Sequence, residues 1–163
     1  MSKIQNKIIW ITGASSGIGE ALVYQLAESN KLIISSRNLQ ELNRVKSIAS
    51  GNSEKIKIVS IDLSEEESLK QSTSEAINAF GKIDIVIHNA GISQRSLVID
   101  THLNVNREIM EVNYFGVVAI TRELLPNLIE NGGGNIAIVS SLVGKFGSPY
   151  RSGCRSRAGE RGP

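Results

Sequence analysis

Five short apolar runs recur along the chain, separated by stretches whose apolar positions fall three or four residues apart. Ile8-Ile9-Trp10-Ile11 is continuously apolar, as a strand covered on both faces would be. Lys31–Ser35, Ile56–Ile61, Ile83–Ile87 and Asn135–Ser140 repeat that signal. Between the runs the spacing predicts helices. Ile18, Ala21, Leu22 and Leu26 would form the apolar face of the first, and Leu39, Leu42, Val45 and Ile48 that of the second. Leu69, Ala76, Ile77 and Phe80 mark the third. After a polar loop from Ile92 to about Asn104 comes a long helix, with Ile109, Val112, Gly116 and Ala119 along one side and Leu124, Leu125 and Leu128 further on.

Local punctuation agrees with this division. Asn38 with Glu41 and Ser64 with Glu67 read as helix-capping pairs, and Glu65 and Glu66 complement a helix dipole. Gly81 fits a helix C-terminus, Pro126 predicts a kink or break in the long helix, and Gly132-Gly133-Gly134 stops it. The alternation β-α-β-α-β-α-β-α-β predicts a doubly wound α/β fold, a parallel sheet with helices on both faces. In such a sheet ligands bind at the carboxyl ends of the strands, beside the switch in strand order.

The turn after the first strand is the richest candidate for chemistry. Gly13, Gly17 and Gly19 supply three positions without side chains where the chain can turn, approach a pyrophosphate and pack against the strand it leaves. The helix N-terminus that follows favours an anion. The spacing is G-x-x-x-G-x-G, neither the commoner G-x-G-x-x-G fingerprint nor a Walker A loop. A tight strand-to-helix turn without a ligand is the alternative.

Composition narrows the function more than the fold. A length of 163 residues suggests one domain, and 40% hydrophobic with 21% charged residues is ordinary for a globular protein. The net charge of +2 gives no reason to invoke nucleic acid or an acidic membrane surface, and 4% aromatics argues against base-stacking platforms. One cysteine rules out an intrachain disulfide and offers no metal cluster. The apolar runs are too short to span a bilayer, and the polar Met1–Lys7 start lacks a signal-peptide core. A cytoplasmic protein with a small-molecule ligand is the expectation.

Thr12-Gly13-Ala14-Ser15-Ser16-Gly17-Ile18-Gly19 closely resembles the cofactor loop of the short-chain dehydrogenase/reductase family, and that family's other marks follow in order over roughly residues 6 to 153. The resemblance implies a Rossmann-type domain over 1–153 and hydride transfer between a nicotinamide cofactor and a carbonyl or alcohol. It implies cofactor contacts from Gly13, Ser15, Ser16, Gly17, Ile18 and Gly19. By the same match Asp62, with Leu63, lies near the adenine amino group, although a turn aspartate is an equal reading of Asp62. Asn89-Ala90-Gly91 matches the family's N-A-G turn beside the cofactor. His88 stands where Asn is often first, and is given no role. Asn113 matches the helix asparagine that helps hold a relay water, and Ser141 in Ser140-Ser141-Leu142-Val143-Gly144 matches the catalytic serine. A flavodoxin-like phosphate binder would share the strand pattern but would not explain Asn89-Ala90-Gly91, Asn113 and Ser141 together.

Cofactor choice is read after the second strand. A carboxylate there would bind a ribose 2′-hydroxyl and repel a 2′-phosphate. This chain has Ser36 then Arg37, which favours NADP(H) over NAD(H), an exposed loop arginine being the alternative.

The family's proton donor is a tyrosine thirteen residues after the serine, tuned by a lysine four residues later. Those positions hold Cys154 and Ala158 here; the nearby Tyr150 is itself followed four residues on by Cys154, and no lysine occurs after Lys145. Residues 154–163 have no apolar period and read as a disordered tail. Their Arg, Gly, Ala and Pro contrast with the Ile, Asn and Lys before them, which implies a coding frame joined to other sequence at Cys154, or a GC-rich natural gene end. The expectations are a truncated sheet with an open edge at the fifth strand, impaired catalysis and reduced stability or self-association. An inactive NADP(H)-binding module and a non-functional remnant are the alternative readings. Substrate identity and oligomeric state are left open, a homo-oligomer among the options.

Overall fold

A computed structural model describes residues 4–49 and 53–141. Five parallel strands, β1 (Ile8–Thr12), β2 (Lys31–Ser36), β3 (Ile56–Ser60), β4 (Ile85–His88) and β5 (Asn135–Ile138), form one sheet in the order β3-β2-β1-β4-β5. The helices are α1 (Gly17–Leu26), α2 (Leu39–Ala49), α3 (Glu66–Asn78), α4 (Leu103–Met110) and α5 (Gly116–Glu130), with a π-helical segment at Glu111–Phe115 between the last two. The doubly wound α/β architecture is therefore as the alternation predicts.

The continuous apolar run of β1 follows from its two covered faces. Ile8 and Trp10 project into a core shared with Ile33, Val59, Leu69, Ile120 and Leu124. Ile9 and Ile11 project into the opposite core with Val23, Leu32, Ile34, Leu42 and Val45. Alternate side chains of a strand point to opposite faces, so each face must supply its own apolar set. Burying each large aliphatic side chain fully contributes about 1.5–3 kcal/mol. Trp10 is fully buried and donates its indole N–H to Ser35 Oγ at 2.8 Å, which satisfies the only polar atom it carries inward.

Several local expectations are corrected. The buried face of α1 is Gly19 and Val23; Ile18 and Ala21 are exposed. In α2 only Leu42 and Val45 of the four expected residues are buried; Leu39 and Ile48, at its two ends, are exposed. The pair of Ser64 and Glu67 does not cap α3. Ser64 instead gives its hydroxyl and N–H to Asp62 Oδ1, at 2.7 and 3.0 Å, and the helix begins at Glu66 with no side-chain cap. Asn38 does cap as expected, accepting the Glu41 N–H at 3.1 Å, and Gly81 closes α3 at φ +82° with its N–H on Ile77 O.

Pro126 lies inside α5 without ending it. Its ring removes one N–H donor at an exposed position of the helix. The irregularity falls at the π segment instead. β4 starts at Ile85: the Ile83 N–H goes to Asn127 Oδ1 at 3.2 Å, while Asp84 still donates its N–H to Ile8 O of β1. β3 and β5 likewise end two residues or less short of the expected apolar runs. Among the described residues β5 is an edge of the sheet, and Ile136 and Ile138 on it are exposed. Among the described residues no helix is long and apolar enough to cross a membrane.

Candidate active site

The strand order places the site. β2 and β3 build outward from one side of β1, β4 and β5 from the other, so the connections after β1 and β4 leave towards opposite faces and part between them. A cavity of about 540 Å³ opens there, within the range of small-ligand clefts. It is lined by the turns after all five strands, from Gly13 to Ser141.

The floor is a rigid joint between the turns after β1 and β4. Thr12 is buried; its hydroxyl accepts the N–H groups of Asn89 and Ala90 at 3.1 and 3.2 Å. The Asn89 amide donates to Thr12 O and Gly13 O at 3.1 and 3.0 Å. Gly13, at φ +67°, is held so close that a Cβ would lie 2.6 Å from Ala90 Cα. Gly19 is tighter, its Cβ position 2.2 Å from Gly13 O. Gly17 differs: at φ +59° it faces open space, with nothing within 4 Å of where a Cβ would be. The first glycine is thus demanded by packing and backbone conformation together, the second by conformation and the third by packing. Together they bring the N-terminus of α1 to the cavity, where its unpaired N–H groups favour an anion.

At one end of the cavity the parallel register of β2 and β3 sets two charged residues side by side. Ser36 pairs with Ser60, and the Ile61 N–H bonds Ser36 O at 3.3 Å. Arg37 and Asp62 follow, with Arg37 Nη1 3.7 Å from Asp62 Oδ2. Partial burial raises the Asp62 pKa, but the Ser64 hydrogen bonds and the Arg37 charge outweigh it and hold the carboxyl below its usual value.

The other end is organised by Asn113. It lies in the π segment, buried, and grips the Ile92 peptide with both ends of its amide: Oδ1 accepts the N–H and Nδ2 donates to the carbonyl, each at 2.8 Å. π segments inside α-helices are frequent at functional sites. His88, beneath the Asn89 turn, is buried with Nε2 3.1 Å from Thr121 Oγ1. That hydroxyl also donates to Val117 O at 2.7 Å, and its contact with the imidazole ties β4 to α5.

Of the expected site residues, Gly13, Ser15, Ser16, Ile18, Arg37, Asp62, Leu63, Asn89, Ala90, Gly91 and Ser141 line this one cavity. Gly19 and Asn113 are buried behind its walls, and Gly17 faces open space between the lining residues Ser16 and Ile18. Thr12, Ser36, Asn38, Ile92 and Ser93 were missed, although all adjoin or lie within the quoted motifs. The signal for Thr12 was its place at the end of an apolar strand, where a buried hydroxyl needs partners. Val143, Gly144, Tyr150, Cys154 and Ala158 lie outside the described residues, as does the boundary at 153/154.

The family model for short chain dehydrogenases matches residues 7–153. The chain belongs to the short chain dehydrogenase family. It is 40% identical over 166 aligned positions to human dehydrogenase/reductase SDR family member 7, covering 98% of this chain and 49% of that protein. It is 36% identical to a Drosophila melanogaster SDR family protein 7-like, covering 93% and 48%. The chain thus spans about half the length of the curated relatives it matches. A Shigella flexneri short chain dehydrogenase solved with NADP superposes with a TM-score of 0.88 at 25% identity, over 96% of this chain and 68% of that one.

A nicotinamide dinucleotide, the cofactor of short chain dehydrogenases, fits the residues present. The open face at Gly17 beside the α1 N-terminus suits a pyrophosphate, and the cavity continues from there to Arg37 on one side and Ser141 on the other. Small-molecule oxidoreductase chemistry is that of the family.

Proposed function

We propose that this chain binds NADP(H) in the cavity between β1 and β4, in a short chain dehydrogenase site for a carbonyl or alcohol substrate. The observation that carries it is the continuity of the glycine turn, Arg37 and Ser141 around one cavity. Ser15, Ser16, Ile18 and the α1 N-terminus hold the pyrophosphate, with Gly13, Gly17 and Gly19 keeping that wall free of side chains. Arg37 takes the 2′-phosphate, and Asp62 with Leu63 borders the adenine. Asn89, Ala90 and Gly91 support the nicotinamide half. When bound, the nicotinamide gives or accepts a hydride. Ser141 hydrogen-bonds the substrate oxygen and orients the carbonyl. Asn113 helps hold the relay water from the π segment, while its amide fixes Ile92.

Proton transfer is the weak link in this sequence. Cys154 and Ala158 stand where the family pattern calls for tyrosine and lysine. A thiol followed by a methyl group does not reproduce a phenol tuned by an ammonium. Binding without efficient turnover is the function this favours, with residues 1–153 as the binding domain. Exposed Phe115 at the end of the π segment, with Val118, Leu125 and Ile129 along α5, supports self-association, and a single cysteine suits a reducing cytoplasm.

Trp10, the single tryptophan, lies two residues before the cofactor turn and reports the test. Titration with NADPH should quench its fluorescence saturably and at lower concentration than NADH. A carbonyl panel with NADPH should give no turnover above background. Absence of saturable binding by either dinucleotide overturns the reading; NADPH turnover would overturn only the impaired catalysis.

A further inference from the structure

The Arg37–Asp62 pair presents a competition at the adenine end of the cavity. Arg37 is more than half exposed, and its ion-pair partner among the described residues is Asp62. Asp62 does not swing freely to meet it. Ser64 pins Oδ1 through its hydroxyl and its N–H, which leaves Oδ2 turned to the guanidinium. The parallel register of β2 and β3 fixes the backbones on both sides. Arg37 therefore comes to a ligand already partly neutralised by a carboxylate that cannot follow it outward.

We propose that Asp62 is a specificity-determining residue that moderates the preference for NADP(H) by competing with the cofactor 2′-phosphate for Arg37, with Ser64 holding it in place. This rests on the reading of the pocket as an NADP(H) site and deepens it. A 2′-phosphate carries about −1.5 to −2 charges and a bidentate acceptor face, so it displaces a monodentate pair at 3.7 Å, but only after that pair is broken. NADH carries no group that needs Arg37 and leaves the pair intact. Any contact between Asp62 and the adenine is common to both cofactors and cancels in the ratio of their dissociation constants. The competition for Arg37 does not cancel.

The test is calorimetric titration of the full chain with NADPH and with NADH, for wild type, Asp62→Asn, Arg37→Gln and the double variant. The asparagine amide keeps an acceptor for Ser64 and removes the charge. The pair is half exposed, so about a two- to fivefold rise in the NADPH-over-NADH preference is expected for Asp62→Asn. In the Arg37→Gln background the same change should leave the ratio within about 1.5-fold, because the competed cation is gone. Should Arg37→Gln collapse the preference while Asp62→Asn leaves it unchanged or lowers it, the proposal fails and the NADP(H) reading stands. Should the Asp62→Asn gain persist in full without Arg37, Asp62 acts by direct repulsion and the competition is wrong. An unchanged ratio in Arg37→Gln overturns the role of Arg37 and the proposal with it. Ser64→Ala supplies a second route if Asp62→Asn does not fold. Alanine keeps the backbone N–H bond to Oδ1 and loses the hydroxyl bond, so Asp62 is held less firmly, should compete less well, and the preference should rise; an unchanged or lower preference would refute the pinning by the hydroxyl.

Discussion

Replacing Gly19 by alanine tests the account of the cofactor turn most sharply. A Cβ at this position would sit 2.2 Å from Gly13 O, 2.9 Å from Gly13 C and 2.6 Å from Asn89 Nδ2. Two of these atoms are backbone, in a segment fixed by Ala14 N–H on Ser35 O and by Asn89 on Thr12 and Gly13. Neither side can give way cheaply. Opening the contact to an ordinary distance needs more than an ångström of movement, and overpacking of that kind costs about 1–3 kcal/mol. Moving Gly13 O also weakens the 3.0 Å hydrogen bond from Asn89, another 0.5–1.5 kcal/mol or so. Alanine recovers at most about 1 kcal/mol in helix propensity. The net expectation is about 1–3 kcal/mol of lost stability, read as a lowered urea midpoint in Trp10 fluorescence, with NADPH binding weakened at least tenfold. Gly17→Asn is the control: it has open space, and asparagine tolerates a left-handed φ, so its loss should stay below about 1 kcal/mol. Equal midpoints for Gly19→Ala and wild type would refute the packing argument, and a larger loss at Gly17 than at Gly19 would reverse it.

Two further outcomes concern stability alone. The Thr73 hydroxyl is buried without a hydrogen-bond partner among the described residues, so Thr73→Val should raise stability by about 1 kcal/mol; a lower urea midpoint would mean that the hydroxyl is satisfied in solution. Asp84 accepts the Ile8 N–H at 2.8 Å and pairs with Lys82 at 2.8 Å. Partial burial raises its pKa, but Lys82 and the Ile8 bond outweigh that and leave the folded value lowered. A lowered folded pKa gives stability that is present above the unfolded value, near 3.9, and is lost as pH falls through the folded one. Asp84→Asn should therefore be less stable than wild type at about pH 6, with the gap narrowing as pH falls below the unfolded value and through the lowered folded one, in urea midpoints measured across that window; a constant gap would remove the charge from the account.

What the sequence made legible follows from which interactions are local. Strand cores such as Ile8–Ile11 and Leu32–Ile34 need apolar residues on both faces and announce themselves without gaps. The glycine turn was legible for a similar reason, since Gly17 demands its φ and Gly13 and Gly19 their missing side chains at fixed spacing. Helix faces were read less well because residues in the first and last turns, such as Leu39 and Ile48 of α2, keep the apolar period yet stay exposed. Ile18 fits the helical period of α1, yet it is exposed at the mouth of the cavity, where an apolar side chain serves the pocket instead of the core. Capping at Ser64 failed through competition: a serine two residues after an aspartate can satisfy itself on that carboxylate before any helix begins.

The interruption near Asn113 has a different origin. Nothing in Met110-Glu111-Val112-Asn113 marks a π segment by propensity, whereas Pro126 carries a strong local signal for a break that did not occur. The helix breaks register where a tertiary contact requires it. Asn113 must reach the Ile92 peptide, and Gly116 must pass Leu63 so closely that a Cβ would lie 2.6 Å from its carbonyl oxygen. Both contacts join the helix to turns lining the cavity, one on the β4 side and one on the β3 side. An extra residue in one helical turn lets Asn113 and Gly116 meet both at once, so the irregularity belongs to the site's geometry and could be read only after the sheet had set those turns in place.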